Sequence, residues 1–535
     1  MTEKVVKRVS KYNIKHSHEL FSYCDNESFK AKNLRNLANY HIRQCFILSS
    51  KEELSKEQEV YLKEINNAID KFNEKKKISF NEKKPQKIEK AKAELEKLKN
   101  SKSNSKKHKK EIEKKEKALE KLIVSEYKSH KYVNSENGLI SYDFLDFYFS
   151  NYLIGKDNPY KLLPTQTAQQ ILRTLFKDWK SFFASIKDYN KNKSKYKGRP
   201  KLPKYKAKNG RSKLSMTNQS CKIREGRLIF PKTKLTLKVG VNTADAKLKE
   251  VRIVPAGNVY KIELVWDKVV KEDAVLNKNS YISIDLGLNN LATITNNIGL
   301  KPIIINGKPL KSINQYYNKK KSEMQEKMPF YTYARYDKSK NICINEKRQL
   351  SYSKKMDTLT RKRNAKIDDF MHKASAFIIK YCLDNSVGNI IIGKNENWKN
   401  EVDIGKRNNQ NFVSIPFNKF IEMIQYKAET YGIDVNVIEE SYTSKASFLD
   451  LDDIPTFKEG EKHKFSGKRI KRGLYKTGNI IINSDVNGSY NILRKFDDTL
   501  FSKSSINNIL TIPKIINING YINKGSLSPK TTLVA

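Results

Sequence analysis

The chain has 535 residues, with 105 Lys plus Arg against 58 Asp plus Glu, a formal charge of +47. At about 150 residues per domain it has room for roughly three domains, so it is neither a peptide nor a small disulfide scaffold. Self-repulsion on this scale destabilises a compact state unless polyanions neutralise it, which makes nucleic acid the expected partner.

Hydrophobic residues make up 38%, and 28 Tyr with 23 Phe can fill cores or stack on bases. The five cysteines (Cys24, Cys45, Cys221, Cys343, Cys382) are scattered and form no Cys-x-x-Cys pair. That suits buried thiols in a reducing cytosol rather than secretion or a zinc ribbon. The N-terminus is charged throughout and no run of about 18 apolar residues occurs, so export and membrane readings drop out.

In chain order, residues 1–50 mix short apolar runs with helical stretches. Residues 51–125 are almost wholly Lys, Glu and Leu and read as two charged helices broken at Ser101 to Ser105, a solvated hairpin with phosphate contact as the functional alternative. Ile171, Leu172, Leu175, Phe176, Trp179, Phe182 and Phe183 recur at helical spacing after Pro164, which predicts a packed helix. Residues 191–213 carry eleven basic and no acidic side chains among Tyr, Gly and Pro, the pattern of an extended strap on nucleic acid. Residues 213–270 alternate with period two between turns, predicting a small antiparallel barrel. From Tyr281 come three strands and then helix-separated strands, with a long helical region expected over 311–385 and a last helix from Val486. That order predicts an α/β, ribonuclease-H-like sheet. The tail from Phe496 lacks clear periodicity and is expected to be mobile.

Three acids are expected to do chemistry. Asp285 closes the buried strand YISIDLG, where a carboxylate is costly unless a cation neutralises it. Asp485 precedes the last helix, where an isolated Asp is ordinarily an N-cap; Asn487 and Asn491 follow on one face, suited to packing polar groups near a charge. A third carboxylate would complete a site in which two Mg²⁺ ions, about 3.5 to 4 Å apart, hold the attacking water and the leaving oxygen of a phosphodiester. Strand four ends in Gly393, which cannot ligate. Glu396 in the next loop, and Glu439 and Glu440 at the end of strand five, compete for the place, and the last two point to opposite faces.

The motifs LPTQTAQQILRTLFKDWKSFF (163–183), KGRPKLPKYK (197–206), SIDLGLNNLATIT (283–295), the helix of His372 and Ser375, IGKNENWKNEVDIGKRNNQNFVSIPF (392–417), ESYTSKASFLDLD (440–452) and FSGKRIKRGLYKTGNIIINSDVNGSYNIL (465–493) stand in one order. Together they resemble the TnpB family, transposon-encoded RNA-guided DNA nucleases related to the type V CRISPR effectors. The resemblance spans roughly residues 130–495. It maps the first and last acids of an Asp-Glu-Asp RuvC site onto Asp285 and Asp485. Two departures stand out: the usual Glu position is Gly393, and Thr443 to Ser447 and everything after them lack the four cysteines of the family's zinc knuckle. Relatives with a relocated Glu carry it three residues before the Thr-Ser pair, which here is Glu440.

The resemblance implies Asp285, Glu440 and Asp485 as catalytic and metal-binding, two Mg²⁺ (with Mn²⁺ able to substitute) and no zinc. It also implies a guide RNA from the transposon end, one protein per guide, a double-stranded DNA target cut beside a short adjacent motif, and a nucleoid-associated place in a bacterial cytoplasm. Lys197, Arg199, Lys201, Lys204 and Lys206 are the expected phosphate contacts. Gln166, Gln169 and Gln170 are candidates for reading the adjacent motif, since Gln pairs bidentately with adenine. The implied multidomain α/β plan has a wedge β-barrel begun by residues 1–20 and completed, with the basic strap, by 191–275. A helical recognition domain covers 21–190. The RuvC domain covers 276–440 and 485–495, with a target-nucleic-acid insert at 441–484 and the tail at 496–535. Two competing functions are a nuclease-dead RNA-guided DNA-binding protein or repressor, which Gly393 favours and the intact Asp285 and Asp485 oppose, and a transposase proper. The latter chemistry orders its acids Asp, Asp, Glu, whereas here a Glu precedes the last Asp.

Overall fold

The computed structural model describes residues 3–101, 106–153, 155, 158–240, 246–271, 275–337, 342–350, 352–394, 414–458, 460, 461, 463–506 and 509–518. The chain divides into two compact units, one of Val9–Val241 with Leu248–Trp266, the other of Met1–Arg8, Asn242–Lys247 and Asp267–Ala535. Among the described residues no helix is long and apolar enough to cross a membrane.

The first unit is built on the helices Leu20–Leu48 and Thr165–Lys191. Leu172, Leu175 and Trp179 of the predicted stripe are fully buried, and the indole of Trp179 donates to Asn39 Oδ1 at 3.0 Å. The Lys/Glu segment forms the helices Lys56–Lys99 and Lys106–Ile123. Ser55 and Gln58 start the former with a reciprocal capping box. Beyond Phe72 only Leu95 of the longer helix is buried, and Lys115–Glu94 and Lys99–Glu116 ion pairs join the two helices, so this hairpin is solvated. The β-rich stretch forms two sheets. Strand Glu3–Ile14 pairs with Val259–Lys271, which is followed by Ala246–Ala256 and Leu214–Thr217, while residues 222–238 make a separate three-stranded sheet.

The second unit centres on a six-stranded sheet in the order Asp434–Ile438, Val387–Gly393, Asn277–Leu286, Asn290–Asn296, Ile303–Asn306, Lys514–Ile516. Strand four therefore lies between strands one and five, parallel to both. Side chains alternate along each strand. Ile282, Ile284, Ile390 and Ile392 face the helices Lys354–Asp384 and Phe417–Glu429. Ile391 faces the helix Ser484–Phe496, whose Val486, Ile492 and Leu493 are fully buried. Each such side chain contributes about 1.5–3 kcal/mol.

The second unit corrects two expectations. Residues 311–385 are not one helical region: the helix Lys308–Glu326 ends and an antiparallel hairpin, Phe330–Asp337 with Ile342–Gln349, precedes the long helix. The hairpin's Phe, Tyr and Ile residues favour strand, and Pro329 at its entrance disfavours continued helix. Nor is everything beyond Phe496 a loose tail. Phe501 packs on Phe448 and Tyr490, and Lys514–Ile516 adds a parallel edge strand beside Ile303–Ile305. Residues 519–535 lie outside the described ones.

Candidate active site

Asp285 is the second-last residue of the central strand, on the face turned to the helix Ser484–Phe496. Two residues before it on that face, Ser283 Oγ lies 2.7 Å from Thr295 Oγ1 and 2.9 Å from Ser489 Oγ, and it donates to the Ser489 carbonyl at 2.6 Å. This buried hydroxyl cluster docks the helix one turn below Asp485. Gly488 sits where the two acids approach, since a Cβ there would lie 3.2 Å from Asp285 Oδ2.

Asp485 is not the helix N-cap. Asn483 fills that role, its Oδ1 accepting from the backbone N–H of Asp485 at 2.9 Å and of Val486 at 3.2 Å. The Asp485 carboxylate is thereby left to other partners: Asn290 Nδ2 donates to Oδ2 at 2.6 Å, and Arg469 Nη2 lies 3.4 Å from Oδ1.

Glu440 follows the fifth strand of the sheet. Thr443 folds back on it, its Oγ1 donating to the Glu440 carbonyl at 2.9 Å. Asn491, fully buried, donates to the carbonyls of Thr443 at 2.9 Å and Ala446 at 2.8 Å, while Asn487 donates to Ala446 O at 2.8 Å and accepts from the Phe448 N–H. The two asparagines thus sew the segment after Glu440 onto the helix that carries Asp485. Glu439 turns away, its Oε2 held at 2.6 Å by Lys495 Nζ. Glu396 lies outside the described residues.

Burial pushes the Asp285 carboxyl well above the usual range, the charges of Glu440 and Asp485 push it further, and only Arg469 opposes them. Burial, with Glu439 beside it, pushes Glu440 up to about 7 against the pull of Lys495. Among the described residues no three His, Cys, Asp or Glu side chains form a ready-made metal cage. What the site holds is three acids whose charges act on the buried Asp285, with the partly exposed Arg469 guanidinium and the Lys495 ammonium acting against them.

No cysteine lies in the segment 443–484. There Asp452 accepts from the N–H groups of Ser447 at 2.7 Å and Ser466 at 2.9 Å and from Ser466 Oγ at 2.6 Å. Asp450 accepts from the hydroxyls of Ser447 and Thr477. Tyr475, fully buried, donates to Lys445 O at 2.8 Å. These bonds fasten the three strands of residues 467–483 to the preceding loop and engage the carboxylates of Asp450 and Asp452.

In the other unit the strap is pinned to the helix Leu20–Leu48 through its carbonyls. Lys32 donates to Lys208 O at 2.7 Å, Asn36 to Lys206 O at 2.9 Å, and both Asn39 and Arg43 to Pro203 O at 3.0 Å. Lys197, Arg199, Lys201, Lys204 and Lys206 are all exposed. Gln166 hydrogen-bonds Gln219 and Thr217, Gln169 donates to Asp146 at 3.1 Å, and Gln170 lines a surface cleft with Arg35 and Arg211. Sequence reasoning missed Asn290, Arg469 and Lys495 and the gripping residues of the helix. Only the four-residue step from Lys32 to Asn36 and from Asn39 to Arg43 signalled a common helix face.

Residues 265–399 match the family model OrfB_IS605, probable transposase, and residues 417–492 match the Cas12f1-like TNB domain. The chain is a TnpB-type protein related to the type V effectors. Asp285 falls in the first match and Glu440 and Asp485 in the second. A search of the curated proteins gives no match. Among solved structures the TnpB-type chain is similar to Cas12f1 in its complex with sgRNA and target DNA, at 12% identity over 66% of this chain and 86% of that one, TM-score 0.28. It is also similar to Cas12f in a CRISPR ternary complex, at 12% identity over 91% and 98%, TM-score 0.28. A third is Alicyclobacillus acidoterrestris C2c1 with single-guide RNA, at 8% identity over 80% and 71%, TM-score 0.31. Likenesses this distant carry no weight for the site.

Proposed function

We propose that the protein is an RNA-guided endonuclease that cuts double-stranded DNA in a metal-dependent RuvC-type site. The observation that carries this reading is the meeting of Asp285, Glu440 and Asp485, from three separate segments, with the charges of the other two acting on the buried Asp285. Asp285, Glu440 and Asp485 would hold Mg²⁺ or Mn²⁺, which supplies a nucleophilic water and neutralises charge on the phosphodiester. Asn290 fixes the Asp485 carboxylate from one side, the Thr443 turn fixes the Glu440 backbone, and the hydroxyl cluster of Ser283, Thr295 and Ser489 holds the helix to the strand. The acids are therefore oriented before substrate arrives. Zinc has no part in this reading.

Base pairing to a guide RNA from the transposon end would read sequence, while the protein reads duplex shape and a short adjacent motif. The exposed bases of the strap supply phosphate contacts, and the helices of residues 21–190 with the β-rich wedge hold the heteroduplex. Asp285→Ala and Asp485→Ala test the core of the proposal: cleavage in Mg²⁺ should fall at least about a thousandfold, with guide-dependent binding of target retained. Cutting by either variant at the normal rate would refute the metal site.

A further inference from the structure

Gly393 ends strand four beside the acids, yet its backbone does not require glycine, since it is not among the residues of positive φ. Space is the constraint. The parallel register sets Ile392 beside Ile284 and Gly393 beside Ile438. Position 393 is therefore level with Asp285 and on its face of the sheet, and Glu440, two residues past Ile438, follows the same alternation. A Cβ at Gly393 would lie 2.7 Å from Glu440 Oε2 and 2.5 Å from Ile492 Cδ1. Ordinary contacts are about 3.5 to 4.0 Å, so both neighbours would have to move.

Both clashing atoms are side-chain ends that could turn aside, which would take the Glu440 carboxylate out of this place, while the backbones behind them are held. The Lys394 N–H bonds Ile438 O at 2.8 Å and holds the two strands together at this level. Beyond it the Glu440 backbone is tied through Thr443 to Asn491, and Ile492 is fully buried.

We propose that Gly393 is a positioning residue of the acid centre: the volume of its missing side chain receives the Glu440 carboxylate, so strand five can supply the third acid only because strand four supplies no side chain. The inference rests on the nuclease reading above and adds that positions 393 and 440 compete for one place. It follows that an acid restored at 393 is harmful while Glu440 remains and useful once Glu440 is removed.

The test uses the full-length chain, with target cleavage measured on the guide-loaded protein and Mn²⁺ affinity and the unfolding midpoint measured on the protein alone. Gly393→Ala should cut about a hundredfold more slowly and bind Mn²⁺ at least about tenfold more weakly, while still unfolding cooperatively. Adding Ile492→Val, which removes the nearer aliphatic contact, should not restore either property relative to Ile492→Val alone. The exchange Gly393→Glu/Glu440→Gly should cut at least about tenfold faster than Glu440→Ala. Wild-type cleavage and Mn²⁺ affinity in Gly393→Ala, or their recovery on adding Ile492→Val, would overturn the proposal. So would an exchange variant that folds but does no better than Glu440→Ala. Wild-type cleavage by Glu440→Ala itself would instead overturn the nuclease site on which the inference rests.

Discussion

The acid centre and the basic strap handle charge in opposite ways. At the centre, three carboxylates stand close together with Arg469 as their partial counter-charge, and the surrounding hydrogen bonds hold the groups that repel one another. Along the strap, backbone carbonyls are tied to one helix face while the side chains of Lys197, Arg199, Lys201, Lys204 and Lys206 are exposed. On the nuclease reading proposed above, tertiary structure concentrates unfavourable charge in the first region where a reaction can use it. In the second it fixes a backbone so that loosely held charges present a constant surface to a polyanion. Deletions at the centre should therefore act on rate, and deletions along the strap on affinity.

The sharpest way to break that contrast is to remove acids singly. Glu440→Ala should lose cleavage as completely as Asp285→Ala, at least about a thousandfold, with target binding kept. Glu439→Ala, whose carboxylate belongs to Lys495, should retain substantial activity, and so should Glu396→Ala. Activity in Glu440→Ala together with loss in Glu396→Ala would move the third acid to the loop after strand four.

Strap variants should show the opposite signature. Neutralising Lys197, Arg199, Lys201 and Lys204 together should weaken RNA or DNA binding at every sequence alike and flatten the slope of log affinity against log salt by up to about 3.6. An unchanged slope would leave the strap a structural brace. Asn36→Ala, which frees the Lys206 carbonyl, should cost about 1 kcal/mol of stability and blur the contrast between fixed backbone and free charge.

The pH response sharpens the comparison at the centre. Because the folded value for Glu440 is raised to about 7, above an unfolded value of about 4.3, the folded state holds the proton longer. Stability relative to Glu440→Gln should therefore be undiminished below about pH 4.3, fall as pH climbs toward 7, and level off above it. Thermal unfolding of both proteins without divalent metal measures this, and a constant gap from pH 5 to 8 would contradict it.

The smallest effect concerns the residue 443–484 segment. Asp452→Ala should cost about 2 kcal/mol through its lost charge-assisted bonds, and metal analysis of active protein should find no stoichiometric zinc. Tightly bound zinc at one equivalent would show that cysteine-free ligands had been overlooked.

Period and order along the chain were enough to read the α/β sheet, its strand sequence and the placing of Asp285 at a strand end, because buried strands and amphipathic helices have local signatures. Alternation also separated Glu439 from Glu440, since adjacent strand residues face opposite ways. Local signals failed where a neighbour in space decided the outcome. A helix was expected across 330–349, where a hairpin forms. The segment after Phe496 reads as loose, yet Phe501 and Ile516 find apolar partners hundreds of residues earlier or one helix away. Asp485 looks like a cap until Asn483 takes that role. What only the tertiary structure decided is which groups share space: Gly393 with Glu440 and Ile492, Asn290 with Asp485, Lys495 with Glu439. Such pairings join segments up to about two hundred residues apart, and they depend on packing distance and shared desolvation, which leave no periodic trace in a sequence.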